Sequence, residues 1–315
     1  MPGLIGRRLL YLVPVILAVT VLTFLIANLL PGDLAIAILG DQATPESVAA
    51  LHQKLGLDLP LWQQYLHWLG GVVTGDFGRS RNNEVVLHAI ASRLPVSLEL
   101  LVFAEVGGLL VGVPLAILCA VRPGSLFDRT VSAVAFGSLS VPPFMLAILL
   151  IFLFALRLHL LPATAYVPFA EDPVGNLRAM VLPGATLALL EWPTIMRVLR
   201  SDMITTLQED YIAMARAKGL SSRRILLVHA LKPSSLTLVT LIGLNVGRLI
   251  GGAVVTESIF ALPGIGRLLV ESIYSRDLVV LEGGVLVVAV GYVLVNFVVD
   301  LLYAALDPRI RHGRP

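Results

Sequence analysis

The sequence predicts an all-α integral membrane protein with six transmembrane helices. Three observations predict it. Hydrophobic residues make up 57% of the 315 residues and charged residues only 14%, where a soluble domain carries about a quarter charged. The apolar residues are gathered into runs long enough to cross a bilayer, which takes about 20 residues each. The runs are also continuous rather than alternating. That argues against a closed β-barrel and leaves helices, which satisfy their own backbone hydrogen bonds in lipid.

The spans fall at about 9–30, 96–121, 131–156, 179–199, 236–257 and 281–304. Arg7 and Arg8 precede the first apolar run as in a signal peptide. The run is too long for one, and Ala27-Asn-Leu-Leu-Pro31 is no small-x-small cleavage site, so this reads as a retained helix. In the second span Gly107, Gly108 and Gly112 allow close helix approach, as do Gly243, Gly247 and Gly251 in the fifth. Pro142-Pro143 in the third span, and Pro183 and Pro193 in the fourth, each remove a backbone donor and bend or break a helix. Cys119, the only cysteine, reads as a packing residue, and no intrachain disulfide can form.

The net charge of +2 says little, and no nucleic-acid partner is expected. Its distribution says more. With the N-terminus inside, the segments 1–8, 122–130, 200–235 and 305–315 hold thirteen Lys and Arg residues, against eight in the longer outside segments. The positive-inside rule thus predicts both termini in the cytosol.

The external loop 31–95 carries helix signals. Thr44-Pro45-Glu46 reads as an N-cap, a proline at the first helical position and an acid in the first turn. Val48, Leu51 and Leu55 then share a face, and Gly56 ends the helix. A second helix runs from Pro60 to about Val73, with Trp62, Tyr65 and Trp68 on its apolar side. These rings either lie at the membrane interface or pack onto the spans.

Several chemistries are missing. No lysine is followed by Ser or Thr, so there is no phosphate-binding G-x-x-x-x-G-K-[ST] loop. The six histidines show no metal-ligand spacing, and no G-x-S-x-G elbow is present. No enzymatic activity, cofactor or metal is expected on this chain. The polar stretch from Asp210 to Pro233 stands out instead. A small-residue helix ending at Gly219 and a second from Ser221 to Pro233 would offer a compact basic knob to a soluble partner in the cytosol.

That loop, with motifs along the whole chain, resembles the cytoplasmic "EAA" loop of bacterial ABC importer permeases. Within them it is similar to the B-type membrane subunit of the dipeptide/oligopeptide/nickel group. The resemblance is carried by Leu30-Pro-Gly-Asp33, Gly75-Asp-Phe-Gly-Arg-Ser80, Arg93-Leu-Pro-Val-Ser-Leu-Glu-Leu100 and Ala215-Arg-Ala-Lys-Gly-Leu220. It continues in Gly251-Gly-Ala-Val-Val-Thr-Glu257, Pro263-Gly-Ile-Gly-Arg267 and Asp300-Leu-Leu-Tyr-Ala-Ala-Leu-Asp-Pro-Arg-Ile-Arg311. The family loop reads E-A-A-x3-G, nine residues, then I-x-L-P. Gly219, Ala215 and Leu231 match, while Ala213 and Met214 replace the Glu and first Ala. His229 replaces the Ile, and the proline falls one place late at Pro233.

The resemblance implies the type I importer permease fold in a bacterial inner membrane. Its implied partners are a homologous second permease, two ATP-binding subunits that hold ATP and Mg, and an extracytoplasmic solute-binding protein that delivers a peptide. Small Ala213, Ala215 and Ala217, with Gly219 and Leu220, would dock on the ATPase. Arg216, Lys218, Arg223 and Arg224 would pair with acids there, or else with anionic membrane lipid. Transport would proceed by alternating access, with ATP and the binding protein discriminating between states. Nickel-chelate or glutathione import by the same mechanism is the alternative within the family. A stand-alone secondary transporter is the alternative outside it, against which no inverted repeat is visible.

Ionisable groups inside a membrane are functional candidates by default. Glu99 and Asp300 lie near span ends, Glu105 is deeper in the second span, and Glu257 closes the fifth. Glu191 and Arg248 sit near the middles of the fourth and fifth spans, where the family more often has small or neutral residues. Two arrangements are open: an ion pair joining the two helices, or a placement facing the pathway to meet a peptide's charged ends.

Overall fold

The computed structural model describes residues 2–29, 34–39 and 43–306. The described residues are helical apart from loops and one isolated bridge, Arg79 to Val85. The motif Leu30-Pro-Gly-Asp33, the end of the last motif from Asp307, and the side chains of Arg7, Arg8, Leu51, Leu55 and Asp300 lie outside the described residues.

The helices are α1 (Pro2–Leu29), α2 (Leu34–Leu39), α3 (Pro45–Leu55), α4 (Leu61–Thr74), α5 (Val86–Val121), α6 (Leu126–Leu139) and α7 (Pro143–Leu150). They continue with α8 (Pro173–Leu207), α9 (Asp210–Ala217), α10 (Ser222–Arg224), α11 (Leu231–Ile259), α12 (Ile265–Ser275) and α13 (Leu278–Leu306). Wider π-helical turns extend α7 over Ile151–Arg157 and join α10 to α11 over Ile225–Ala230. Among the described residues four helices are long and apolar enough to cross a membrane, and α6 with α7 makes a fifth if that bent pair is one span.

The expected third span, 131–156, is where sequence and structure differ most. Its two halves, Leu126–Leu139 and Pro143–Arg157, are bent by 105° at the break between them. Pro142 is extended, with ψ 142°, and Pro143 is the first helical residue of α7. A residue before proline is pushed out of the helical region, so two consecutive prolines end one helix and start another. Pro183 and Pro193, by contrast, lie inside an unbroken α8 and are buried.

The chain divides into two compact units, Met1–Ser97 with Pro263–Leu294, and Leu98–Leu262 with Val295–Pro315. In the first, Val86, Ile90, Ile265, Leu268 and Val280 form the core. Tyr65 and Trp68 of α4 pack on Phe24 of α1, with ring centroids 5.6 and 5.9 Å away, while Trp62 is 62% exposed. Tyr65 and Trp68 therefore take the packing role, while Trp62 points away from it. The Gly75–Ser80 motif is latched to the turn before α13: Asp277 accepts from the Ser80 hydroxyl at 2.8 Å and the Arg81 amide at 2.9 Å.

In the second unit α8 is the most enclosed span. Trp192, Ile195, Met196, Leu199 and Met203 line it up against Ala116, Ala120, Ala135, Ala230 and Leu238 from its neighbours. The second-span glycines make this packing possible. A β-carbon on Gly107 would lie 2.8 Å from Ala188, and one on Gly112 would lie 2.8 Å from Ile195 and 3.0 Å from the Trp192 carbonyl. The fifth-span glycines behave unequally. A β-carbon on Gly243 would lie 2.6 Å from Val299, but nothing lies within 4 Å of one on Gly251; one on Gly252 would instead lie 3.0 Å from Leu187.

Candidate functional site: a polar knob and a buried ion pair

The knob 210–233 has a small core of its own. Ile212, Ala215 and Ile225 are buried together, with Leu207 and Leu220 against them. Gly219 adopts a left-handed φ of 76°, which glycine reaches without steric cost. The turn closes with Gly219 donating to the Arg216 carbonyl and Leu220 to the Ala215 carbonyl. Ala215 therefore faces inward and is not part of the knob's surface. Ala213, Arg216, Ala217, Lys218, Gly219, Arg223 and Arg224 are exposed, and Leu220 is half-buried. Met214, 58% exposed, joins them; it stands where the family loop has an alanine, the one signal that could have marked it.

The second knob helix does not stop at Pro233. It runs through the π-helical turns into α11. A proline inside a helix leaves the carbonyl four residues earlier without its usual partner, here that of His229. The Tyr211 hydroxyl donates to that carbonyl at 3.2 Å, tying α9 to the helix that follows. At the root of the knob the Thr206 and Ser234 hydroxyls lie 3.2 Å apart, joining α8 to α11.

A second attachment was not foreseen. Arg200 of α8 donates two bonds of 2.6 Å to Asp128 of α6, which also accepts from the Gly124 amide. This forked geometry is the strong form of a charged hydrogen bond. It links the 122–130 turn to the helix that carries the knob. The separation of 72 residues hid it from sequence patterns.

Deeper in the same unit, Arg248 donates to Glu191 at 2.8 Å. Glu191 is 2% exposed, whereas the Arg248 side chain is 52% exposed. Glu105 interacts electrostatically with both. It lies one turn before Gly108, whose β-carbon would sit 3.1 Å from Glu191. Both Glu105 carboxylate oxygens and the second Glu191 oxygen are buried without a hydrogen-bond partner among the described residues. Glu257 is fully buried and its carbonyl accepts from Leu262. Gly247 is half-buried. Glu99 accepts from the Tyr166 hydroxyl at 3.2 Å. Burial, reinforced by that carboxylate, pushes Tyr166 up to about 12, so it stays a neutral donor. No group of three or more metal-ligating side chains occurs among the described residues.

Two family models match the chain: the N-terminal model of binding-protein-dependent transport system membrane components over residues 1–101, and the inner membrane component model over 112–312. A protein named as a peptide transport system permease in Brucella abortus is 42% identical over 313 residues, covering 99% of this chain and 100% of that one. The dipeptide transport system permease DppB of Escherichia coli K12 is 39% identical over 333 residues, covering 98% of each. Two structures of the MetNI methionine ABC transporter in inward-facing conformations share the fold. Their TM-scores are 0.53 and 0.57 at 20% and 18% identity, covering 69% and 70% of this chain and 95% and 97% of theirs. The chain therefore belongs to the family of binding-protein-dependent transport system inner membrane components.

Proposed function

We propose that this chain is the permease subunit of an ATP-driven peptide importer in a bacterial inner membrane, forming half of the translocation pathway. The observation that carries the reading is similarity over nearly the whole chain to permeases named for peptide and dipeptide transport. Six spans with both termini in the cytosol fit this reading, with α1 and the bent α6–α7 pair each counted as one span. A second homologous permease, two ATP-binding subunits and an external solute-binding protein complete the machine. The 210–233 knob is the docking element, presenting Ala213, Met214, Ala217 and Gly219 to an ATPase groove with Arg216, Lys218, Arg223 and Arg224 around them. As the ATPases close, the knob moves with α8 and α11, to which the Thr206–Ser234 contact and the Tyr211 bond tie it. Arg200 and Asp128 carry that motion to the 122–130 turn.

The test is uptake. The chain is deleted in its host and restored from a plasmid, and labelled di-, tri- and pentapeptides are followed beside radioactive nickel. Peptide uptake is expected to require both the chain and an intact Gly219. Nickel uptake without peptide uptake would move the substrate to metal chelates. Uptake indifferent to Gly219→Asp would sink the docking role, because a β-carbon there meets nothing within 4 Å inside the chain and, beyond the strain of the left-handed φ of 76°, acts only on what docks there.

A further inference from the structure

Two helices of the second unit each leave one long face uncovered, and the faces differ in kind. Along one side of α5 the exposed side chains include Leu98, Val102, Val106, Leu110, Pro114 and Leu118. Along α11 they are Thr237, Thr240, Arg248, Gly251 and Ser258, with Leu244 and Val255 in the same row. Steps of three and four residues put each set on one side of its helix. The aliphatic α5 face suits hydrocarbon. The α11 face does not, because an arginine near the centre of a span costs about 2.5–3.5 kcal/mol in lipid even on insertion scales. A polar row along a span faces water or protein.

Arg248 gives that row a chemistry. A guanidinium offers five N–H donors, and the bond to Glu191 uses Nη2 alone. Its remaining donors have no protein partner among the described residues, on a side chain that is half exposed. Glu191 holds the group from behind, and Glu105 adds negative charge within electrostatic reach.

We propose that the exposed face of α11 lines the solute pathway and that Arg248 is a transit site there for a carboxylate, the C-terminal end of the peptide, with Glu191 as its positioning residue. The fork of an arginine matches a carboxylate in shape and charge. The two acids behind it offset part of its attraction, and a transit site must bind weakly enough to release. The ion pair and the pathway role, alternatives in the sequence, are then one device. The peptide as source of the carboxylate rests on the import reading above; the pathway site does not.

The test uses the complete transporter in liposomes, with Cys119→Ala removing this chain's only cysteine. Leu244→Cys, Gly251→Cys and Val255→Cys are compared with Val106→Cys and Leu110→Cys, using sulfonatoethyl and trimethylammonioethyl methanethiosulfonate and reading label on this chain. The α11 variants are expected to react and the α5 variants to stay silent. Beside Arg248 the anionic reagent should be about tenfold faster than the cationic one, relative to their rates with a free thiol. That preference should vanish in the Glu191→Gln/Arg248→Gln background, which leaves no unpaired Glu191 carboxylate. Ala-Ala, with binding protein and ATP, should slow the anionic reagent, and the amide of Ala-Ala should not. Silent α11 positions overturn the proposal, since that face then lies against lipid or the second permease. Labelling without charge preference overturns the Arg248 site. Charge preference with no effect of either peptide supports the site and places the failure on the peptide reading.

Discussion

Glu191 and Arg248 are joined by one bond but are unequal partners. Removing the arginine leaves a carboxylate buried and unpaired, which typically costs about 3–5 kcal/mol. Removing the acid leaves a guanidinium that is half exposed and can be hydrated. Arg248→Gln should therefore lower the unfolding midpoint of the purified complex clearly more than Glu191→Gln, and the double variant should recover most of the loss. Equal losses in the two single variants, or no recovery in the double, would contradict this asymmetry. At the Asp128–Arg200 fork the buried member is again the acid, while Arg200 keeps 26% of its side chain exposed. Arg200→Gln should cost about 3 kcal/mol, the low end for a buried pair. Arg200→Lys should rescue only part, because an ammonium cannot reproduce the fork. The same melts read both. Glu191 and Arg248 were visible in the sequence as charges inside apolar runs. Asp128 and Arg200 sit at span ends, where charge is ordinary, and nothing in the sequence pairs them.

Helix signals carried by neighbouring residues were legible. Thr44 accepts from the Ser47 amide while Ser47 reaches back to the Thr44 amide, and Gly56 ends α3 with a left-handed φ of 67°. Proline effects were not legible residue by residue. Pro142-Pro143 breaks a span because one proline forces the other out of the helix, whereas Pro183, Pro193 and Pro233 are absorbed by packing, by a π-helical turn or by a hydroxyl donor from α9. Glycine spacing was equally ambiguous, and two substitutions separate its meanings. Gly112→Ala drives a methyl group into Ile195 and the Trp192 carbonyl and should destabilise by about 1–3 kcal/mol. Gly251→Ala enters open space and should leave the midpoint unchanged or raise it by up to about 1 kcal/mol. Thermal melts of the two variants in one detergent distinguish them. Tyr211→Phe removes the donor to the His229 carbonyl. Amide exchange over 210–217 should quicken, reflecting about 1 kcal/mol of lost local stability; unchanged exchange would mean the bond does not hold α9.

For the whole molecule, the docking reading predicts that ATP-binding chains co-purify with this chain in mild detergent. Gly219→Asp should lose them with expression retained and stability lowered by only about 1 kcal/mol, the cost of a β-carbon at the left-handed φ of 76°, since the substituted side chain meets no other part of the chain within 4 Å. A secondary transporter would purify alone from the start.

Composition and run length alone determine that this chain is a helical membrane protein, because a bilayer forces every apolar run of span length to close its own hydrogen bonds. Local spacing also marks the polar knob, because a turn glycine and the helix signals on either side of it act within a few residues of one another. Only the tertiary structure decides that Ala215 points inward and Met214 outward, that Arg200 grips Asp128, and that Arg248 is backed by Glu191 while half its side chain stays open. Those outcomes depend on which faces of helices remote in sequence are covered, and a periodic apolar pattern in a membrane helix does not distinguish the face against protein from the face against lipid.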